Sequence, residues 1–286
     1  MNLINGTEIA QVIQNNIAKA VSHLTHRKPG LAFILVGTNP ASQTYIQMKK
    51  KRCSEVGILS FDCELPHSAT EAQLLGEIHK LNQNPAIDGI LVQLPLPEHI
   101  NTMNIVSAVD PAKDVDGFHP LNVGKMLLGE QDGFLPCTPH GIQVLLTHAQ
   151  IPVHGKHVVI VGRSNIVGKP LAAILMQKAP HCNATVTVAH SESENLGEVC
   201  RSADILIAAM GKPLFIKKEM IKKGAVVVDV GINRVKGCIV GDVDFEAVAP
   251  ICSRITPVPG GVGPMTIALL LSNTLLSYQR RIAAGK

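Results

Sequence analysis

Residues 157–171 read HVVIVGRSNIVGKPL. The first five are apolar and mostly β-branched, which predicts a strand, and the apolar pattern that resumes at Leu171 predicts a helix. A glycine turn between a strand and a helix lets backbone amides and the positive end of the helix meet a pyrophosphate. This stretch therefore predicts a dinucleotide-binding unit within an α/β fold.

The glycine pattern of this turn is loose. Gly162 fills the first position of G-x-G-x-x-G, whereas Ser164 and Val167 take the second and third, and Gly168 follows one residue late. An ordinary glycine turn at the start of an α/β helix is the alternative. The turn needs support from elsewhere in the chain before it indicates a cofactor.

Short apolar runs alternate with helical patterns along the rest of the chain. The runs are near-continuous and rich in β-branched residues, as expected of strands that are covered on both faces. They lie at residues 31–36, 89–94, 157–161, 185–188, 205–208 and 225–230. Strands that alternate with helices predict βαβ units and parallel sheets.

The segment 110–139 separates two groups of these strands. It is rich in Asp, Gly and Pro and shows no steady period, so we expect a long functional loop or a domain joint. The part after it suits a doubly wound, Rossmann-like nucleotide-binding domain, and the part before it suits a smaller α/β layer. We expect the first domain at 1–139 and the nucleotide-binding domain at 140–263.

The composition of the 286 residues excludes several classes of protein. Hydrophobic residues make up 46% and charged residues 17%, which predicts a compact fold and not a disordered chain. A net charge of +4, with 2 Tyr, 6 Phe and no Trp, argues against a nucleic-acid partner. Glu8 and its polar neighbours stand where a signal peptide needs an apolar stretch, and no apolar run approaches about 18 residues, so we expect no membrane partner.

Cysteines and histidines show no metal-binding pattern. The 7 cysteines are widely spaced and never form C-x-x-C, which is typical of neither a disulfide framework nor a zinc site. A reducing cytosol fits them best, so we expect a cytoplasmic protein. None of the 12 histidines lies in H-E-x-x-H, and G-x-S-x-G is absent, so we expect no metal site and no serine hydrolase chemistry.

A tyrosine and a lysine lie one helical turn apart in the pattern that follows Asn39-Pro40. The spacing of Tyr45 and Lys49 puts the phenol and the ammonium on the same helix face. Three cations follow at 50–52, and like charges crowded around an amine lower its pKa if the amine is also buried. The alternative is a solvated basic helix face with Tyr45 half-buried, and spacing alone favours it.

Polar residues interrupt apolar sequence at two further places. Gln93 ends a buried strand, where a buried amide needs a partner; Lys49, a substrate or the backbone could supply it. Asp114 and Asp116 lie in DVDG, and either could accept hydrogen bonds from an amino-pyrimidine ring. Capping or turn roles are equally open for each of the two carboxylates.

A second glycine-rich stretch lies near the end of the chain. Residues 257–266 read PVPGGVGPMT, and their glycines let a flat ligand lie close to the backbone. We expect a loop here, with the last helix starting at Thr266; a rigid connector is the alternative.

The end of the second strand in the nucleotide-binding domain bears on the choice of cofactor. It reads Ala189-His190-Ser191, without the Asp or Glu that would bind a ribose 2′-hydroxyl and repel a phosphate. This favours NADP, with Arg163 and Ser191 as candidates for contacts to the 2′-phosphate. Glu192 argues the other way, and a solvated loop cation is the alternative for Arg163.

Six motifs together resemble one known family. They are the Tyr45–Lys49 pair, QLPLP at 93–97, DVDGF at 114–118, PCTP at 136–139, the glycine turn at 162–170 and PGGVGPMT at 259–266. In this order they resemble the bifunctional methylenetetrahydrofolate dehydrogenase/methenyltetrahydrofolate cyclohydrolase (FolD) family. The resemblance runs from about Leu31 to Thr274.

The resemblance implies a two-domain α/β homodimer. Its active-site cleft would lie between the domains, and the last helix, 264–286, would pack back onto the first domain. It also implies an oxidoreductase and hydrolase of one-carbon metabolism that serves purine biosynthesis. Such an enzyme oxidises 5,10-methylenetetrahydrofolate to 5,10-methenyltetrahydrofolate with NADP and then hydrolyses this product to 10-formyltetrahydrofolate.

Motif matching carries the family's site residues onto this sequence. The resemblance implies that Lys49 is the catalytic lysine, that Tyr45 positions it and that Gln93 is its hydrogen-bond partner. Asp116 would hold the pterin ring. Further substrate contacts would come from Leu94, Pro259, Gly260, Gly261, Val262, Gly263, Pro264 and Thr266. Contacts to NADP would come from Gly162, Arg163, Ser164, Ile166, Val167, Gly168, Ser191, Gly231 and Ile232.

One departure and three alternatives remain open. Glu192 stands where the family commonly has a basic residue, which leaves the strength of the NADP preference open. A monofunctional dehydrogenase would keep the cofactor turn without hydrolysing the methenyl cation. A nucleotide-sensing module would not require Tyr45, Lys49 and Gln93, and an amino-acid or shikimate-type dehydrogenase would lack the loop at 259–266.

Overall fold

The computed structural model describes residues 3–285, which form two compact units. The first unit comprises Val12–Leu135 and the chain from Ile267 onward, and the second comprises the chain up to Gln11 together with Pro136–Thr266. Each unit contains its own parallel sheet. The predicted fold class, a two-domain α/β protein, is confirmed.

The bounds of the elements are as follows. The α-helices are α1 (Gly6–Ser22), α2 (Pro40–Val56), α3 (Glu71–Gln83), α4 (Thr102–Ala108), α5 (Pro120–Leu128), α6 (Cys137–His148), α7 (Gly168–Leu175), α8 (Leu196–Arg201), α9 (Phe245–Val248) and α10 (Val262–Ala283). The strands are β1 (Gly30–Val36), β2 (Leu59–Leu65), β3 (Gly89–Val92), β4 (His157–Val161), β5 (Thr185–Ala189), β6 (Ile205–Ala208), β7 (Val226–Asp229), β8 (Asn233–Val235), β9 (Cys238–Val240) and β10 (Arg254–Ile255).

The first unit is built on a three-stranded sheet in the order β2-β1-β3. The central strand β1 is buried along its whole length, which accounts for its continuous apolar sequence. Ile34 of β1 lies opposite Val92, the last residue of β3, so Gln93 leaves the sheet beside the buried central strand. Side chains that form the core here include Ala32, Ile34, Leu74, Ile78, Ile90 and Ile105.

Helix α10 is tied to this sheet by polar contacts within the first unit. The Ser277 hydroxyl lies 2.6 Å from the Asp88 carbonyl and 2.8 Å from the Ala112 carbonyl. The Asp88 carboxylate is 0% exposed and pairs with Arg27 at 2.6 Å and with Arg281 at 3.1 Å. Losing one partner of such a buried ion group is strongly destabilising, so these contacts fix the helix to the end of the sheet.

The second unit contains a five-stranded parallel sheet in the order β10-β7-β6-β4-β5. Apolar side chains cover both faces: one core includes Val159, Leu206 and Val227, and the other includes Val158, Ile160 and Ile207. The last residues of β4, β5 and β6 lie level with one another, because Val161 is opposite both Ala189 and Ala208. The loops that follow these strands therefore meet at one edge of the sheet, where doubly wound folds bind ligands.

The prediction of one long loop over 110–139 is wrong at α5. The His119 ring nitrogen Nδ1 accepts a hydrogen bond from the backbone N–H of Leu121, and Pro120 takes the first helical position. Gly129, at φ 79°, ends the helix in the left-handed conformation. The start and stop signals are present in the sequence, but a nine-residue helix is too short for its period to stand out.

Candidate active site

Lys49 lies on α2, whose start is fixed by the side chain of Asn39. That side chain accepts hydrogen bonds from the N–H groups of Ala41 and Ser42, and Pro40 follows it. Lys49 is only 6% exposed, and its Nζ atom lies 5.4 Å from the centre of the Tyr45 ring. The solvated basic face, which spacing alone favours, is therefore wrong at Lys49.

The cations next to Lys49 are largely neutralised. The Nζ atom of Lys50 lies 2.7 Å from a carboxylate oxygen of Asp62, and an Arg52 nitrogen lies 2.6 Å from Glu55. Opposite charges at these distances offset the crowding of positive charge that the sequence indicates. Burial raises the pKa of Tyr45, so its phenol is protonated at neutral pH.

Gln93 presents one defined end of its amide to Lys49. Its Nε2 group donates to the Leu94 carbonyl at 2.8 Å, and its Oε1 atom accepts from Lys49 Nζ at 3.1 Å. Its backbone N–H continues the sheet by donating to the Ile34 carbonyl at 2.9 Å. The partner of the Gln93 side chain is thus Lys49, one of the partners that the sequence predicts, and α2 brings it to the end of β3.

The two carboxylates of DVDG have different surroundings. Asp114 is 4% exposed and accepts from Asn122 Nδ2 at 2.8 Å and from the N–H groups of His119 and Phe118 at 2.8 and 3.3 Å. Burial raises the pKa of Asp114. Asp116 is only half-buried. Asp114 therefore shapes the loop before α5, and Asp116 is the carboxylate of the pair that remains accessible.

Asn273 of α10 holds the residue between these two carboxylates. Its Nδ2 group donates to the Val115 carbonyl at 2.9 Å and to the Leu135 carbonyl at 3.2 Å. Lys113, one residue before Asp114, donates to three carbonyls at the end of α3, with distances of 2.7 to 3.0 Å. The sequence analysis missed Asn273, although a buried amide on an otherwise apolar helix is a usable signal.

The glycine turn after β4 depends on the absence of side chains. A Cβ atom on Gly162 would lie 2.1 Å from the Ala209 carbonyl oxygen, and one on Gly168 would lie 2.0 Å from the Gly162 carbonyl oxygen. The Ser164 hydroxyl accepts from the N–H of Val167 at 3.1 Å and thereby shapes the entry into α7. Close backbone approach at the start of a helix suits a pyrophosphate, so this turn fits a dinucleotide.

The candidate groups for a 2′-phosphate lie at the ends of neighbouring strands. An Arg163 nitrogen, after β4, lies 3.4 Å from the His190 ring, after β5. The exposed Ser191 hydroxyl donates to the Glu192 carboxylate at 3.0 Å. A cation, a hydroxyl and a carboxylate are thus grouped at this edge, and the carboxylate opposes the binding of a phosphate.

Two other predicted cofactor contacts follow β7, and a third lies in the glycine turn. Gly231 is buried and donates its N–H to the Asp229 carboxylate at 2.9 Å. Ile232 is 51% exposed, and Ile166 is 44% exposed. Exposed apolar side chains at the ligand edge of such a sheet are available to an aromatic ring.

The stretch 257–266 is held by the beginning of the chain. The N–H of Thr7 donates to the Gly260 carbonyl at 3.0 Å, and a Cβ atom on Gly6 would lie 1.8 Å from the Gly261 carbonyl oxygen. The prediction that the last helix starts at Thr266 is wrong, because α10 begins at Val262. Thr266 lies within the helix, where its hydroxyl is 2.9 Å from that of Thr138.

The predicted substrate residues of this stretch differ in exposure. Pro259 is exposed, Gly260, Gly263 and Pro264 are half-buried, and Gly261 is buried. The Val262 side chain is 4% exposed and packs in an apolar core with residues such as Ile160. Val262 therefore contributes mainly to packing, and the residues around it offer backbone and proline surface.

Residues 3–285 contain neither a group of side chains that could bind a metal ion nor a helix that could span a membrane. Within that range, no three His, Cys, Asp or Glu side chains gather closely enough to hold a metal ion. None of the described helices combines the length and the apolar character that crossing a bilayer requires.

Comparison with models of protein families identifies the family of this chain. The family model of the tetrahydrofolate dehydrogenase/cyclohydrolase catalytic domain matches residues 4–116, and that of the NAD(P)-binding domain of the same family matches residues 136–282. The chain belongs to the tetrahydrofolate dehydrogenase/cyclohydrolase family. The predicted family is confirmed.

Individual members of the tetrahydrofolate dehydrogenase/cyclohydrolase family match nearly the whole chain. The bifunctional protein FolD of Protochlamydia amoebophila is 57% identical over 97% of this chain and 98% of its own length. The crystal structure of the bifunctional enzyme FolD from Campylobacter jejuni has a TM-score of 0.95 at 48% identity, covering 98% of this chain and 99% of its own. The FolD of Trypanosoma brucei, complexed with NADP cofactor and inhibitor, has a TM-score of 0.92 at 37% identity over 98% of each chain.

Proposed function

We propose that this chain is a bifunctional enzyme of one-carbon folate metabolism. It oxidises 5,10-methylenetetrahydrofolate to 5,10-methenyltetrahydrofolate with NADP and hydrolyses that product to 10-formyltetrahydrofolate. The observation that carries the proposal is the buried Lys49, whose Nζ atom lies 3.1 Å from Gln93 Oε1 beside the Tyr45 ring. The names of the relatives, bifunctional protein FolD among them, support both activities.

The two steps make different demands on the protein. Hydride transfer requires mainly that the reacting carbon is held in place. Hydrolysis requires a water molecule to attack the methenyl carbon, one carbon–nitrogen bond of the ring to break, and protons to move. We assign general acid–base catalysis of this second step to Lys49, the buried lysine that lies one turn after Tyr45 on α2.

The neighbours of Lys49 restrict where its amine points. Gln93 accepts a hydrogen bond from it, and the face of the Tyr45 ring lies 5.4 Å away. A protonated phenol donates one hydrogen bond, which suits a substrate oxygen or nitrogen. Tyr45 and Gln93 therefore position the amine, and Leu94 follows at the same strand end.

Asp116 is the carboxylate that we assign to the pterin. An ionised carboxylate accepts hydrogen bonds at both oxygens, which matches the donors of an amino-pyrimidine ring. Its half-buried position, next to the fully buried Val115, leaves it accessible to such a ligand. Pro259–Pro264 and Thr266 complete the proposed folate contacts.

NADP fits the turn after β4. Gly162 and Gly168 permit the tight turn that leads from β4 into α7, where backbone N–H groups can meet a pyrophosphate, and Ser164, Ile166 and Val167 lie in the same turn. When bound, NADP supplies the nicotinamide carbon that accepts the hydride. Arg163 and Ser191 would bind the 2′-phosphate, and Gly231 and Ile232 would line the nicotinamide. The Arg163 guanidinium, together with His190 in place of an acidic residue, favours NADP over NAD, against the charge of Glu192.

We further propose a homodimer in a reducing compartment such as the cytoplasm. The hairpin β8–β9 exposes Val235 and Ile239, which are 37% and 40% exposed, and a two-stranded hairpin gains stability from a further strand. None of the seven cysteines, all of which lie within residues 3–285, forms a disulfide, which suits a cytoplasmic protein. Light scattering of the purified protein tests the dimer, and we expect Ile239→Lys to give monomers if the hairpin forms the interface.

An absorbance assay on the purified protein tests the two activities. The enzyme receives 5,10-methylenetetrahydrofolate with NADP or NAD, and reduced nicotinamide and the methenyl chromophore are followed separately. We expect faster reduction of NADP and little build-up of the methenyl compound. No reduction of either dinucleotide would overturn the proposal. Steady accumulation of the methenyl compound would instead indicate a monofunctional dehydrogenase.

A further inference from the structure

Two buried carboxylates lie behind the ligand edge of the second unit. Asp229 is the last residue of β7, and Asp242 follows β9; they are 4% and 0% exposed. The groups that donate hydrogen bonds to them are backbone N–H groups and one side-chain amide, none of which carries a charge. Burying two carboxylates beside uncharged donors alone costs folding free energy. The segments of the chain that these carboxylates hold in place are therefore of interest.

Asp242 joins two segments that follow different strands. Its Oδ2 atom accepts from the N–H groups of Met210 and Gly211, at 2.7 and 2.9 Å, just after β6. Its Oδ1 atom accepts from Asn233 Nδ2 at 2.9 Å, where β8 begins. A Cβ atom on Gly231 would lie 2.3 Å from this Oδ1 atom, so the turn after β7 rests directly against the carboxylate.

Asp229 holds Asp242 in place. Its Oδ1 atom accepts from the N–H groups of Gly231 and Asp242, each at 2.9 Å, and its Oδ2 atom accepts from the N–H of Val243 at 2.9 Å. Its own N–H donates to the Thr256 hydroxyl at 2.7 Å. The two carboxylates therefore form one connected network with six N–H donors.

This network reaches the glycine turn through a single residue. Ala209, one residue before Met210, donates its N–H to the Val161 carbonyl at 2.9 Å. The Ala209 carbonyl oxygen is also the atom that a Cβ on Gly162 would approach to 2.1 Å. Fixing Met210 therefore fixes the surface on which Gly162 packs, and fixing Gly231 fixes the segment that carries Ile232.

We propose that Asp229 and Asp242 are positioning residues for the dinucleotide: they hold the turns after β6 and β7 at the spacing that NADP requires. The inference rests on the proposed function and deepens its cofactor site. An amide at either position is isosteric but presents an NH₂ group to at least one existing N–H donor in both of its orientations. The ionised carboxylate is thus the group that satisfies all the donors.

The test compares Asp242→Asn with a matched variant, Asp204→Asn. Asp204 also accepts from a backbone N–H, that of His157 at 3.0 Å, and it pairs with Lys222, but it lies at the opposite end of the same sheet. We expect Asp242→Asn to raise the KM and the Kd for NADP about tenfold, the effect of one unsatisfied buried donor. Cyclohydrolase kcat/KM should stay within about twofold, and Asp204→Asn should change neither quantity by more than about twofold.

A second variant keeps the inference testable if Asp242→Asn folds poorly. Asn233 is half-buried, and Asn233→Ala removes only one of the three bonds to Asp242, so we expect a rise of about threefold in the Kd for NADP. An unchanged Kd in Asn233→Ala would overturn the inference, as would an equal loss of both activities in a well-folded Asp242→Asn. Calorimetric titration with NADP measures the Kd without turnover, so it decides this point even if the proposed reaction is not observed.

Discussion

The Nζ atom of Lys49 lies 3.1 Å from Oε1 of Gln93, although 44 positions separate the two residues in the chain. The parallel pairing of β1 with β3 creates this contact, because α2 follows β1 and Gln93 follows β3. A buried amine with a fixed acceptor is held in one orientation, which is what a proton-transfer group requires.

Lys49→Met removes the amine and retains most of the apolar stem. We expect cyclohydrolase kcat to fall by at least about a hundredfold, the usual contribution of a general acid or base, and the dehydrogenase rate to fall by less than about tenfold. Separate initial-rate assays of the two steps measure this difference. Lys51→Met, at an exposed position of the same helix, is the control and should leave both rates unchanged. Equal losses in the two assays would contradict the assignment.

Gln93 variants should move the pH profile of hydrolysis in opposite directions. Gln93→Glu places a carboxylate beside the amine and favours its protonated form, whereas Gln93→Leu removes one acceptor and disfavours it. If the free amine is the base, we expect the rising limb of cyclohydrolase kcat to lie at higher pH in Gln93→Glu and at lower pH in Gln93→Leu. Profiles that superimpose on the wild type would argue against proton transfer at this pair.

Asp114 and Asp116 should respond differently to the same substitution. Asp114→Asn places an NH₂ group against existing donors, so we expect a loss of about 2 kcal/mol in the free energy of unfolding. Asp116→Asn should raise the KM for folate substrates about tenfold in both activities. Thermal unfolding and steady-state kinetics on both variants test the division. A normal KM in Asp116→Asn would exclude the assigned contact to the pterin.

Charge at the edge of β5 should set the preference between NADP and NAD. Arg163→Leu removes the cation beside His190, and we expect the KM for NADP to rise about tenfold while the KM for NAD changes little. Glu192→Lys replaces the carboxylate that binds Ser191 with a cation and should lower the KM for NADP. The ratio of kcat/KM for the two dinucleotides is the measurement. Parallel changes for both would show that neither side chain recognises the 2′-phosphate.

The sequence alone predicts the elements that depend on a local pattern of residues. The continuous apolar runs predicted β1, β3, β4, β5, β6 and β7, because strands covered on both faces need no polar residues. β2 was missed, since this edge strand is exposed or half-buried along its length and carries Asp62 and Glu64. The short elements β8, β9 and α5 offer too few residues for a period to be recognised.

Contacts between distant stretches were beyond sequence analysis. Nothing local distinguishes Asp114 from Asp116, because the difference arises from Asn122 and the backbone before α5. Likewise, the pairing of Lys50 with Asp62 depends on the packing of α2 beside β2. The network around Asp242 also joins segments that follow three different strands, so its donors become apparent only in the folded chain.

His140 of α6 offers a test of stability against pH. Its Nδ1 atom is buried and makes no hydrogen bond to the described residues, and burial lowers the pKa of His140 to about 4. An unfolded histidine titrates near pH 6.5, so between about pH 6.5 and 4 the unfolded chain binds a proton that the folded protein does not. The folded state therefore loses stability as the pH falls through this range.

Replacing this imidazole with a side chain that does not titrate should remove that part of the pH dependence. Between pH 7.5 and pH 5, we expect the free energy of unfolding of the wild type to fall by about 2 kcal/mol more than that of His140→Leu. Denaturant titrations at the two pH values measure the difference. His148→Leu, at an exposed position on the same helix, should retain the slope of the wild type. Parallel losses in the wild type and His140→Leu would show that the ring is protonated without cost in the folded protein.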